Sequence, residues 1–156
     1  MALKAGDKAP NFKLYNSEKE EVSLDNFQGK NKVVLLFFPQ SFTGVCTKEL
    51  CSTRDDITFY QNLDAQVLGI SVDSVFTLGK FKEDQKLNFP LLSDFNKEVS
   101  RSYDSLYEDW ILDMKGVSKR SAFVIDKSGI IRYAEILDNP GELPNFGAVK
   151  STLESL

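Results

Sequence analysis

The apolar positions fall into an alternation of strand-like runs and segments of helical period. Residues 33–38 (VVLLFF) are apolar without a break, the pattern of a strand covered on both faces at the centre of a sheet. Pro39 ends the run. From Thr43 or Gly44 the pattern becomes helical, with Val45, Leu50, Ile57, Phe59 and Tyr60 set among polar residues as far as Asn62. A second buried run at 66–71 (QVLGIS) precedes a helical stretch at 75–86, which the Asn88, Phe89, Pro90 breaker closes. Leu91 and Leu92 begin a short extended piece, and 96–104 has helical character. Two β-rich runs, 121–125 and 130–136, flank Asp126, Lys127, Ser128 and Gly129, a hairpin signal, and 146–156 closes the chain as a helix. The stretch before residue 33 is read as an opening loop.

Parallel β-α-β units followed by an antiparallel hairpin and a final helix describe an α/β chain with a central mixed sheet flanked by helices, of the thioredoxin type. Other mixed α/β folds fit the same string. There is no repeat, low-complexity tract or linker, so residues 1–156 are expected to form a single domain. Its 42% hydrophobic content suffices for one substantial core.

Charge narrows the possible partners. The net charge of −4 comes from acidic and basic side chains spread along the chain, which leaves no footprint for phosphate backbones or anionic lipid. Neither nucleic acid nor a membrane is an expected partner. The longest apolar run is far too short to span a bilayer, and residues 1–12 hold no apolar core of a signal peptide, so the expected location is the cytoplasm. In that compartment two cysteines are not a structural disulfide framework; they are inert core residues or reactive ones.

The absence of histidine removes more hypotheses than any motif adds. A Cys-His or Ser-His hydrolase would lack its general base, and a Cys/His zinc site would lack half its ligands. Any nucleophile here must be activated by another route. Residues 39–51 (PQSFTGVCTKELC) offer one, because they place Cys46 in the first turn of a helix that follows the central strand. Unpaired N–H groups and the positive end of the helix dipole converge at such a position and favour a thiolate. Thr43 supplies a hydroxyl able to donate to sulfur or to a bound oxygen, Gly44 permits close backbone approach, and Pro39 fixes the direction in which the chain leaves the strand.

Pro39, Thr43 and Cys46 match the Pro-x-x-x-Thr-x-x-Cys signature of the peroxiredoxins at every fixed position. The surroundings also resemble that family: AGDKAPNF at 5–12, LGISVDS at 68–74, and Arg120 ahead of SAFVIDKSGIIRY. The likeness covers essentially the whole chain. It implies a thioredoxin-like fold and a thiol peroxidase that needs no metal or organic cofactor and reduces hydrogen peroxide, alkyl hydroperoxides or both. Cys46 would be the peroxidatic cysteine, with Thr43 hydrogen-bonding sulfur and peroxide. Arg120 would supply positive charge to the thiolate and transition state, and Glu49 would orient an arginine. The implied partners are a hydroperoxide substrate, a thioredoxin-like dithiol reductant and, in some members, a second copy of the chain.

Cys51, five residues after Cys46, resembles in its spacing the resolving cysteine of the Q-type, or bacterioferritin-comigratory, class, while QSFTGVC is closer to one-cysteine and alkyl-hydroperoxide-reductase-E-like members, in which Cys51 would be a bystander. On an intact helix the two Cα atoms would lie about 8.7 Å apart and be rotated by roughly 140°. A disulfide needs them within about 7 Å, so resolution by Cys51 requires the first helical turns to unwind.

Each residue also has a plainer reading. Cys46 and Cys51 could be small buried hydrophobes, Arg120 a surface arginine at a strand start, Thr43 an N-cap, and Glu49 a complement to the helix dipole. Trp110 with Tyr103, Tyr107, Ile111 and Leu112 reads as core or interface rather than a ligand cage. A thioredoxin-fold disulfide exchanger or redox sensor is the alternative function. It is disfavoured because the two cysteines do not form Cys-x-x-Cys.

Overall fold

The computed structural model describes residues 3–139 and 141–156. Two short strands, β1 (Lys13–Asn16) and β2 (Glu21–Ser23), precede a 3-10 turn at Leu24–Phe27 and the strand β3 (Lys32–Phe37). Helices α1 (Gly44–Asp55) and α2 (Ile57–Asn62) lead to β4 (Ala65–Ser71), α3 (Val75–Gln85) and β5 (Leu91–Ser93). Then come α4 (Glu98–Ser102), β6 (Leu106–Tyr107), β7 (Val117–Ser118), the hairpin β8 (Ser121–Ile125) and β9 (Ile131–Ile136), and α5 (Phe146–Glu154).

Among the described residues seven strands form one sheet in the order β2-β1-β5-β4-β3-β8-β9, and β6 pairs with β7 in a small separate sheet. β3, β4 and β5 run parallel, as crossover connections through helices require, and β8 returns antiparallel beside β3. The continuous apolar run of β3 is explained by its two buried faces. Val34, Leu36 and Phe38 pack with Leu50, Leu78, Phe81, Val149 and Leu153 on the side of α1, α3 and α5. Val33, Leu35 and Phe37 pack with Leu24, Val99, Tyr103 and Phe123 on the other. Truncating one of these buried phenylalanines to alanine would cost about 3–5 kcal/mol.

Several boundaries differ from the sequence reading. The opening stretch is not all loop: β1 and β2 pair there as a hairpin at the sheet edge, too short and too mixed in polarity to show period-two patterning. The helix expected to run to Asn62 breaks at Asp56, whose backbone (φ −102°, ψ 12°) leaves the helical region and whose carboxylate takes a salt bridge from Lys150 at 2.7 Å. The segment 96–104 shortens to α4, because Lys97 is left-handed (φ 68°) and the Asp94 carboxylate accepts from the Val99 and Ser100 amides. In the hairpin, β9 begins one residue later than expected, next to an irregularity at Val124 and Ile125. Of the residues read as core or interface, Tyr103 lies in the core, and Ile111 and Leu112 lie exposed on the surface.

Candidate active site

The site is built where β3 ends. Phe38 extends the ladder by one hydrogen bond to the Ile70 carbonyl, and the buried Pro39 then turns the chain out of the sheet. The loop that follows is tied down by one carboxylate. The Ser41 amide and hydroxyl both donate to Asp73 Oδ2 at 2.8 Å, as does the Ser71 hydroxyl from the end of β4. Phe42 adopts a left-handed backbone (φ 66°), uncommon for a bulky side chain, and packs its ring 5.1 Å from that of Phe81. Thr43 takes the N-cap position of α1, its carbonyl accepting the Thr47 amide at 2.9 Å.

Cys46 is therefore the third residue of α1, within the turn whose N–H groups lack helical acceptors, and it is 1% exposed. Arg120, immediately ahead of β8, reaches it from the other side of the sequence: Nη2 lies 3.2 Å from Sγ. The same guanidinium donates through Nη1 to Glu49 Oε1 at 2.7 Å. Arg120 is 2% exposed, so it is no surface residue, and Glu49 is fully buried rather than displayed at the helix start. Burial works against the Arg120 charge, but Glu49 and Cys46 outweigh it and hold the guanidinium above its ordinary value. Burial, only partly offset by Arg120, pushes Glu49 up to about 7. Its Oε2 has no hydrogen-bond partner among the described residues, an arrangement in which a carboxylate is poorly compensated.

Thr43 differs from its expected geometry. Its hydroxyl neither caps α1 nor donates to sulfur; it donates to the Gln40 carbonyl at 2.8 Å, closing the loop on itself. Its oxygen keeps acceptor capacity in that position. Cys51 lies inside the unbroken α1 and is only partly buried, packed beside the core, with its thiol directed at Gln85 Oε1, 3.4 Å away at the end of α3. Cys46 and Cys51 are both free thiols.

Three further contacts shape the site. Asp73 lies within LGISVDS, where a Ser-x-Asp-Ser cluster after a strand signals a side-chain-closed turn; the tie to Ser41 across 32 positions leaves no local trace. Tyr107 is pushed above its ordinary value by burial, against the opposing Arg120 charge, and its hydroxyl donates to the Leu137 carbonyl at 2.9 Å. Gln40 reaches the Met114 sulfur at 3.5 Å, joining the Cys46 loop to the segment that carries Trp110. Among the described residues no cluster of three or more metal-ligating side chains occurs. What the arrangement offers is a buried sulfur at a helix start, facing a guanidinium held by a carboxylate.

Comparison with known proteins agrees with this geometry. The AhpC/TSA family model matches residues 5–134. The chain is 36% identical over 161 residues to the chloroplastic 2-Cys peroxiredoxin BAS1 of Spinacia oleracea, covering 97% of this chain but 58% of that relative's length. It is 38% identical over 143 residues to alkyl hydroperoxide reductase E of Mycobacterium tuberculosis, covering 90% of each. Among solved structures, peroxidoxin BcpB from Mycobacterium tuberculosis superposes with a TM-score of 0.87 at 28% identity, covering 99% of this chain and 98% of its own. The chain has a thioredoxin-like fold and belongs to the AhpC/TSA family, the peroxiredoxins.

Proposed function

We propose that the protein is a thiol-dependent peroxidase with Cys46 as its nucleophile. The observation that carries this reading is the 3.2 Å contact between Arg120 Nη2 and Cys46 Sγ at the start of α1. It supplies, without histidine, the positive environment that a reactive thiolate needs. The Cys46 thiolate attacks one oxygen of a hydroperoxide. An S–O bond forms as the O–O bond breaks, sulfur loses two electrons, and the departing oxygen takes a proton and leaves as water or alcohol. The helix N–H groups and Arg120 hold the charge as it passes from sulfur to the leaving oxygen.

Turnover then runs through Cys51. With α1 partly unwound, its thiolate attacks the Cys46 sulfenic acid, releasing water and forming a disulfide that a thioredoxin-like dithiol reduces. One relative, from Drosophila melanogaster, is named a thioredoxin-dependent peroxide reductase, which supports a dithiol of this kind. The exposed Phe42, Ile111 and Leu112 side chains support a homodimer formed around the active-site loops. Two free thiols suit a reducing compartment, and we place the protein in the cytoplasm.

Stopped-flow mixing of the reduced protein with hydrogen peroxide tests the first step. Oxidation of Cys46 far faster than free cysteine is expected; a rate equal to that of free cysteine would leave a disulfide exchanger as the better reading. After one equivalent of peroxide, mass spectrometry should show the loss of two hydrogens in the wild type and a sulfenic or overoxidised Cys46 in Cys51→Ser.

A further inference from the structure

The helix that carries both cysteines is fastened at two places, and only one belongs to the peroxide step. At its start, Cys46 and Glu49 meet Arg120. At its far half, α1 is joined to the end of α3. The Cys51 thiol donates to Gln85 Oε1 at 3.4 Å, Arg54 Nη1 donates to the Gln85 carbonyl, and Asn88 Nδ2 donates to the Arg54 carbonyl at 3.2 Å. Gln85 thus holds the sulfur of Cys51 with its side chain and the residue one turn onward with its backbone.

We propose that Gln85 is a positioning residue that holds Cys51 as an unreactive thiol and so sets the rate at which Cys46 sulfenic acid is resolved. The proposal rests on Cys51 being the resolving cysteine. Attack on the sulfenic acid requires the Cys51 thiolate. While the S–H donates to an amide oxygen, which is not a base, the nucleophile is tied up and directed toward α3. The helical geometry turns that same direction away from Cys46. Release from Gln85 leaves the sulfur beside Arg54, one helical turn on, whose guanidinium is fixed by Asp55 at 3.0 Å. That cation is available to a thiolate and of no use to a thiol. The Asp55 hydrogen bond raises Arg54 above its ordinary value.

The device has a consequence for the cycle. A slow resolving step leaves the sulfenic acid exposed longer to a second peroxide, which drives it to sulfinic acid. Gln85 therefore also governs sensitivity to overoxidation.

The test separates the two steps in one rapid-quench experiment on the full chain, with one equivalent of hydrogen peroxide and mass-spectrometric counting of sulfenic acid and disulfide. Gln85→Met keeps side-chain length and the backbone carbonyl that anchors Arg54 but removes the acceptor. It should form the disulfide about fivefold faster, the scale of one hydrogen bond's net worth, and accumulate less sulfinic acid in excess peroxide. Gln85→Glu retains an oxygen acceptor and places a negative charge beside the sulfur that disfavours its thiolate, so it should be no faster than the wild type, a rescue that simple loosening of α3 would not produce. The rate of sulfenic acid formation serves as the internal reference and should match in all three proteins. Equal or slower disulfide formation in Gln85→Met overturns the proposal. If the wild type consumes peroxide at Cys46 yet forms no intramolecular disulfide, the resolving role of Cys51 falls, and this proposal with it, while the peroxidase reading stands.

Discussion

Arg120 Nη2 sits 3.2 Å from Cys46 Sγ although 74 positions separate the two residues. The contact joins the start of a helix to the residue ahead of β8, and it exists because β8 pairs with β3 on the edge opposite β4. With no histidine in the chain, this guanidinium is a positive charge in direct contact with the sulfur.

Replacing Arg120 by Met should therefore slow the reaction of Cys46 with peroxide by about 100-fold, the usual cost of losing one preorganised donor to developing charge. Stopped-flow consumption of peroxide under single-turnover conditions measures it. The same variant leaves the buried Glu49 without its partner and should lose stability by about 1–3 kcal/mol in urea unfolding, the cost of leaving a buried polar group unsatisfied. A peroxide rate equal to the wild type would assign Arg120 to structure alone.

Thr43 makes a narrower prediction. Its hydroxyl donates to the Gln40 carbonyl at 2.8 Å, so Thr43→Val removes the bond that closes the loop ahead of α1. The peroxide step should slow by about tenfold, while Thr43→Ser, which retains the hydroxyl, stays within about threefold of the wild type. Equal losses in the two variants would point to the methyl group and its packing.

Asp73 should matter without touching the sulfur. One oxygen of its carboxylate accepts from the Ser41 amide, the Ser41 hydroxyl and the Ser71 hydroxyl, each at 2.8 Å. Asp73→Ala frees the loop that sets the start of α1 and should slow the peroxide step by about tenfold, since misplacement of a reacting group is costly even without loss of the group. Faster hydrogen exchange at residues 39–43 should accompany the slower rate. An unchanged rate with faster exchange would show that the loop's rigidity is not needed for catalysis.

Much of this was legible in the chain before folding. β3 and β4 announce themselves because strands buried on both faces are nearly continuous apolar runs, and the Pro39, Thr43, Cys46 spacing puts Cys46 in the first turn of α1. Arg120 and Glu49 were accessible only through family resemblance, for nothing local distinguishes a buried arginine from an exposed one at a strand start. The contacts of Asp73 and Gln85 were not legible, because they link segments 32 and 34 positions apart through single polar side chains. The edge hairpin of β1 and β2 escaped for a different reason: three- and four-residue strands, largely solvent-facing, carry too few apolar positions to set a period. Thr43 shows the limit from the other side. It stands at the N-cap position of α1, but which acceptor a rotatable hydroxyl chooses depends on where the Gln40 carbonyl ends up.

Glu49 connects the site to pH. Burial raises its carboxyl to about 7, above its ordinary 4.5, so the folded protein binds this proton more tightly than the unfolded chain does. For an acid shifted in this direction the stabilising contribution is complete below the unfolded value and is lost as pH rises through the folded one. Glu49→Gln carries no such titration. In a Cys46→Ser background, which removes the nucleophile's own ionisation, the unfolding free energy of the Glu49 protein relative to its Glu49→Gln derivative should fall as pH rises from about 4.5 to about 8. A total change on the order of 3 kcal/mol is expected, most of it on the approach to pH 7. Urea unfolding at closely spaced pH values measures the difference directly, and other carboxylates cancel between the two proteins. A difference that stays flat over this interval would mean that Arg120 keeps Glu49 ionised throughout, and that the ion pair is a fixed brace for Cys46 at every working pH.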